Sequence, residues 1–231
     1  MRLDRYLSES GLYSRREAAG AIRAGRVEVD GTVVRDPAAK VDENAAVVTA
    51  DGKSVEYVRF RWIMLNKPAG TVSTTEDSPA SVLKLLPDRL QKVGLFPCGR
   101  LDLDTTGLLI LTNDGRTAHD LLSPRRHREK VYRFSCLPLG EEQRIRLERG
   151  VELSDFVSKP CRVTMRDPEH GEIAVTEGKY HQIKRMFAAV GSGILTLERI
   201  SFGCVGLDPA LASGEWREMT EEEIGILKKE G

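Results

Sequence analysis

Cysteine is scarce in this chain: Cys98, Cys136, Cys161 and Cys204 lie far apart, with no Cys-x-x-Cys pair. That spacing supports neither a zinc site nor a small disulfide framework. The four histidines also lack metal-ligand spacing, so no metal is expected. Long apolar runs are missing, and Met1-Arg2-Leu3-Asp4-Arg5 has no apolar signal core. A reduced, cytoplasmic protein with no membrane partner is expected. Net charge is absent too, because 35 Lys and Arg balance 35 Asp and Glu. The total therefore announces no nucleic-acid partner, and no internal repeat or low-complexity segment suggests an array.

The residues present describe a globular chain. Charged residues at 30% against 40% hydrophobic argue against disorder, and 231 residues can hold one large domain or two unequal ones. The charges are unevenly placed. Arg116, Arg125, Arg126, Arg128, Lys130 and Arg133 crowd one stretch, whereas Glu215, Glu218, Glu221, Glu222, Glu223 and Glu230 crowd the C-terminus. A neutral sum can hide a basic face; the acidic tail is expected to be solvated surface.

Leu3, Tyr6 and Leu7 share a helical face within residues 2–10. Ser14 before Arg15-Arg16-Glu17 forms a capping-box pattern that starts a second helix, with Ala18, Ala21 and Ile22 inward and Gly25 stopping it. Val27-Glu28-Val29 then alternates as a strand into an Asp30-Gly31 turn, and a second alternating stretch, residues 46–50, runs into Asp51-Gly52. A polar stretch from Lys53 to Arg61 is expected to be a linker. Beyond it strands are expected at 62–65, 108–111, 130–134, 161–165, 172–176 and 196–200, and helices at 81–86, 117–122, 141–149 and 181–190. Irregular alternation of strands and helices implies an α+β fold around a mixed, largely antiparallel sheet.

Three segments of the larger region carry candidate chemistry. Gly99-Arg100-Leu101-Asp102-Leu103-Asp104-Thr105-Thr106-Gly107 places an acid among apolar residues just before the run Leu108–Leu111. Such a carboxylate is costly unless a partner keeps it ionised, and an ionised one in a confined site suits covalent chemistry at a sugar carbon. On spacing alone, a loop-capping Asp with a permissive Gly107 is the favoured reading of the segment, because Asp is common in turns. Tyr132 follows the basic stretch, and Lys184 begins a helix in Gly178-Lys179-Tyr180-His181-Gln182-Ile183-Lys184-Arg185-Met186. Taken singly, these are a core aromatic and a solvated lysine. A retaining glycosidase would need a second placed carboxyl group, and Asp104 is expected to point to the opposite face of an extended segment.

Residues 1–55, through Ser14-Arg15-Arg16-Glu17-Ala18 and Gly25-Arg26-Val27-Glu28-Val29-Asp30-Gly31, resemble the RNA-binding module of ribosomal protein S-four. The resemblance implies that Arg15, Arg16, Arg23 and Arg26 touch RNA phosphates. Few aromatics in this module argue against stacking on single-stranded bases and for contacts to a folded RNA's backbone.

Nearly the whole chain resembles the pseudouridine synthases of ribosomal RNA, specifically the RsuA-type branch. The match runs through Leu65-Asn66-Lys67-Pro68, Gly99-Arg100-Leu101-Asp102, Glu129-Lys130-Val131-Tyr132, Tyr180-His181-Gln182-Ile183-Lys184-Arg185-Met186-Phe187 and the closing residues 209–223. The resemblance implies domains at 1–58 (S-four-like) and 59–231 (catalytic). It makes Asp102 the catalytic aspartate, Tyr132 the active-site tyrosine, Lys184 the aspartate's basic partner and Leu197 the apolar residue against the base. Position 184 is Lys, as in this branch, where related branches carry Arg. Asp102 would attack the anomeric carbon, add to the base or start a glycal route. A Lys184–Asp102 pair at about 4 Å and an effective dielectric of ~20 is worth roughly 4 kcal/mol, enough to offset partial burial.

The target would be flipped from folded RNA. Arg100, Arg126, Lys130, His181, Gln182 and Arg185, with Lys179, are expected to grip the substrate and its flanking phosphates. No cofactor is expected, in keeping with the missing nucleotide-binding glycine loop. The implied substrate is small-subunit 16S ribosomal RNA, at uridine 516, in a partly assembled subunit, with the protein acting as a monomer. The same core serves enzymes of large-subunit RNA, and a noncatalytic assembly factor is the alternative from another class.

Overall fold

The computed structural model describes residues 1–123 and 128–229, so Arg126 lies outside the described residues. The chain forms two compact units. One is Met1–Arg61 with Leu83–Phe96; the other is Trp62–Val82 with the described residues from Pro97 onward. No helix among the described residues is long and apolar enough to cross a membrane.

In the first unit, α1 (Leu3–Glu9) and α2 (Arg15–Arg23) bury Leu3, Tyr6, Leu7, Ala18, Ala21 and Ile22 in one core. The capping box is present: the Glu17 N–H donates to Ser14 Oγ at 3.3 Å and the Ser14 N–H to Glu17 Oε2 at 2.7 Å. β1 (Val27–Val29), β2 (Thr32–Val33), β3 (Val48–Ala50) and β4 (Lys53–Ser54) make an antiparallel sheet in the order β2-β1-β3-β4. Both Asp-Gly turns have positive φ at their two central residues, 51° and 77° at Asp30-Gly31, 51° and 74° at Asp51-Gly52, as a tight hairpin requires. The segment expected to be a linker is structured here. Lys53 and Ser54 pair as a strand, Val55 is buried, and the Tyr57 ring stacks on Tyr6 with centroids 4.8 Å apart. Polar composition hid a two-residue edge strand, both of whose residues are exposed, and the inward packing of Val55 and Tyr57 that follows it. The short helix α3 (Asp88–Gln91) joins this unit through Arg89, whose Nε donates to the Ser10 carbonyl at 3.1 Å.

The second unit is built on one mixed sheet. Its strands are β5 (Trp62–Lys67), β6 (Phe96–Pro97), where the chain passes from one unit to the other, β7 (Thr106–Thr112), β8 (Lys130–Cys136), β9 (Arg162–Met165), β10 (His170–Val175), β11 (Ile194–Phe202), β12 (Val205–Gly206) and β13 (Trp216–Glu218). The path runs β13-β5-β7-β11-β8-β10-β9, antiparallel throughout except between β7 and β11. β5 and β7 read as continuous apolar runs because both faces are covered; Ile63–Leu65 and Leu108–Leu111 are all buried. Around the sheet lie α4 (Gly115–Leu122), α5 (Glu141–Arg149), α6 (Gln182–Ala189) and α7 (Glu221–Lys229). Of the acidic residues expected to be solvated surface, Glu215, Glu218, Glu221 and Glu222 are exposed, the last two on the first turn of α7. Leu227 is buried, and Glu223 pairs with Arg217 at 2.6 Å. α6 docks on the sheet through Phe187, edge-on to Phe134 at 4.9 Å, which fixes the helix that carries Lys184.

Candidate active site

A cleft in the second unit gathers Asp102, Tyr132, Lys184, Leu197, Arg100, His181 and Gln182, with Thr105, Glu177 and Lys179 also lining it. Four elements build it. The turn entering β7 supplies Asp102, the adjacent strands β8 and β11 supply Tyr132 and Leu197, and the start of α6 supplies Lys184. Tyr132 and Leu197 are buried, giving the cleft an apolar floor.

Residues 102–105 form a turn, not an extended segment, with the Thr105 N–H donating to the Asp102 carbonyl at 3.2 Å. The expectation for Asp104 fails for that reason. The turn brings both carboxylates to one ammonium, Lys184 Nζ lying 3.1 Å from Asp102 Oδ2 and 2.5 Å from Asp104 Oδ1. Burial works against the Lys184 charge, but the hydrogen bonds it donates to Asp104 and Asp102 outweigh that and raise it above its ordinary value. The same ammonium holds the Asp104 carboxyl below the usual carboxylate range. His181 Nε2 stands 3.7 Å from Asp102 Oδ1.

Two side chains absent from the expected site hold the turn. Ser73 Oγ donates to the Leu101 carbonyl at 3.1 Å and accepts the Leu101 N–H at 3.2 Å. Lys67 is fully buried, and its Nζ donates to the carbonyls of Pro68, Leu103 and Thr105 at 3.1, 3.3 and 2.9 Å. A lysine two residues after the buried run Trp62–Leu65, in the same strand, was the available signal, since such a charge needs internal acceptors. Ser73 gave none.

Other expected contacts lie elsewhere. Lys130 turns inward, donating to the Arg128 carbonyl at 3.0 Å and lying over the Phe202 ring, and burial pushes its ammonium down to about 8. Arg185 is paired with Asp155, off the cleft lining. Arg15, Arg16, Arg23 and Arg26 are exposed in the first unit, where Arg26 pairs with Asp51 at 2.9 Å. Among the described residues no group of three His, Cys, Asp or Glu side chains is placed to hold a metal.

Comparison with known proteins places this architecture. The family model described as RNA pseudouridylate synthase matches residues 61–189, and the S4 domain model matches residues 1–47. The chain is 43% identical to an uncharacterised RNA pseudouridine synthase of Bacillus subtilis, over 99% of each. It is 38% identical to the ribosomal small subunit pseudouridine synthase A of Escherichia coli, over 98% of this chain and all of that one. A crystal structure of a pseudouridylate synthase superposes with a TM-score of 0.70 at 33% identity, covering 98% and 99% of the two chains. The chain belongs to the RNA pseudouridylate synthase family, on its RsuA-type branch. It is thus an enzyme, an isomerase acting on RNA.

Proposed function

We propose that this enzyme converts a uridine of small-subunit 16S ribosomal RNA, uridine 516, to pseudouridine, with Asp102 as nucleophile. The observation that carries the chemistry is the Lys184 ammonium 3.1 Å from a partly buried Asp102 carboxylate, above an apolar floor of Tyr132 and Leu197. Lys184 holds and orients the Asp102 carboxylate through that ion pair where water is partly excluded. Tyr132 and Leu197 offer the uracil ring an apolar slot once the nucleotide is flipped from its stack. In the reaction the bond from ribose C1′ to N1 breaks and a bond from C1′ to C5 forms. C5 loses a proton and N1 gains one, so composition is unchanged and no redox partner enters. Arg15, Arg16 and Arg23 hold phosphates of the surrounding RNA fold. The choice of small-subunit RNA is supported by the name of the E. coli relative and the full-length match to it. A structured target favours RNA already partly assembled, because its fold presents the uridine.

One experiment tests both parts. The enzyme is incubated with 5-tritiated free small-subunit RNA, a partial small-subunit particle and large-subunit RNA, and the new pseudouridine is mapped. Tritium release is expected from small-subunit RNA, most efficiently in the particle, and is abolished by Asp102→Asn while RNA affinity stays within a few-fold. Turnover by a verified Asp102→Asn protein removes the nucleophile assignment; modification confined to large-subunit RNA moves the substrate to the sister branch.

A further inference from the structure

We propose that Tyr180, backed by His181, is a stacking platform for the nucleobase that adjoins the target uridine. The proposal rests on Asp102 marking the position of the reacting ribose. Tyr180 is 75% exposed, an unusual state for an aromatic ring beside a cleft. Its ring lies on the His181 imidazole, with centroids 3.9 Å apart and planes 18° from parallel. Only one face of the tyrosine is covered by that contact. His181 adopts a left-handed conformation, φ 48° and ψ 31°, which a residue with a side chain rarely takes and which the surrounding structure must impose. In that pose its Nε2 is 3.7 Å from Asp102 Oδ1. The imidazole thus meets Asp102 through one ring nitrogen and the Tyr180 phenol across its face, so a single ring separates the exposed phenol from the carboxylate.

Flipping a nucleotide into the cleft strips its neighbour of a stacking partner. An open aromatic face one ring beyond the reacting centre replaces that partner, and it accepts any base because every base has a π face. Charge is placed to match. Lys179, which is exposed, and Arg185 both lie over the Phe156 ring, at 5.6 and 5.3 Å, and Arg185 donates to the Tyr180 carbonyl at 3.3 Å. One exposed cation, Lys179, therefore stands beside the platform where a phosphodiester would pass, while Arg185 is held by Asp155 and braces the Tyr180 backbone.

The test uses the full chain and the RNA whose modified uridine has been mapped, carrying 2-aminopurine once at the 5′ neighbour and once at the 3′ neighbour. Binding to the parent enzyme is expected to quench one of the two probes, Tyr180→Leu to lose that quench, and Tyr180→Trp to restore it. Tyr180→Leu should raise KM about 10-fold with kcat within about 2-fold. Quenching at neither neighbour, or an unchanged quench and KM in Tyr180→Leu, overturns the proposal. Asp102→Asn separates it from the site assignment on which it rests: an inactive Asp102→Asn enzyme that still quenches supports both, and an inactive one that quenches neither probe overturns the platform alone. Turnover by Asp102→Asn overturns the assignment and the platform's registration to it.

Discussion

Lys184 serves two carboxylates at once, and they differ in surroundings. Asp104 is largely exposed, so its pair with Lys184 adds little to stability, while Asp102 is partly enclosed. Asp104's contribution is present above the ordinary carboxylate pKa and is lost as pH falls through its lowered folded value. Lys184's is present below 10.5 and is lost as pH rises through its raised folded value. Both therefore stay charged across the interval in which Lys67 titrates. Burial pushes the Lys67 ammonium down to about 8, although Asp104 and Asp102 pull it the other way. Between about 8 and 10.5 the unfolded chain then binds more protons at this residue than the folded one, so Lys67's contribution to stability rises with pH. The Cys98 thiol, raised by burial to about 11, works in the opposite sense, and it cancels when two proteins sharing it are compared. Urea unfolding of the parent and Lys67→Met at a series of pH values is expected to show the parent gaining on the variant from pH 8 to 10.5. A pH-independent gap would mean that Lys67 keeps its proton and holds the 102–105 turn as an ammonium throughout.

At the scale of elements, the turn that carries Asp102 depends on how β7 leaves it. Gly107 has φ 93°, and a Cβ there would sit 2.3 Å from the Arg199 carbonyl oxygen of β11, the strand that pairs parallel with β7. Neither backbone can yield without breaking that pairing, so Gly107→Ala is expected to lower the unfolding free energy by about 3 kcal/mol. Chemical denaturation measures it directly; a loss below about 1 kcal/mol would show that β7 and β11 separate freely. Elements with a local signature were legible in the chain: the capping box at Ser14, the two Asp-Gly turns, the strands at 62–65 and 108–111, and the helix that carries Lys184. What was not legible depends on distant partners. β13 is a strand because Trp216–Glu218 pairs with β5, some 150 residues earlier, which no local pattern announces. The Asp102–Thr105 turn was hidden for the same reason, since Ser73 and Lys67 hold it from other parts of the chain. Asp102, Tyr132, Lys184 and Leu197 could be picked out because their motifs are specific. The second carboxylate on Lys184 and the Tyr180–His181 stack needed coordinates.

At the scale of the whole molecule, zero net charge conceals a division of labour among the arginines. Arg133 is tied to Glu198 and Glu172, Arg144 to Glu141 and Glu148, and Arg217 to Asp208 and Glu223. These charges are spent within the fold. Arg15, Arg16 and Arg23 instead stand exposed on α2. Arg26 is a poorer probe of RNA binding, because it also secures Asp51 in the second hairpin. Deleting residues 1–58 would be a poor test as well, since it would strip the 83–96 segment of partners such as Ser10, to which Arg89 donates. Replacing Arg15, Arg16 and Arg23 together by Ala removes three exposed cations and leaves the core of the unit untouched. If each neutralises one phosphate, the slope of log affinity against log salt becomes shallower by about 2 to 3. Filter binding to small-subunit RNA between about 50 and 200 mM KCl reads that slope. The triple variant is expected to bind more weakly at low salt and to converge on the parent as salt rises, with single-turnover rates at saturating RNA unchanged because the Asp102 cleft lies wholly in the other unit. Equal affinity and equal slope would show that α2 does not touch this RNA and that the exposed arginines face some other anionic partner.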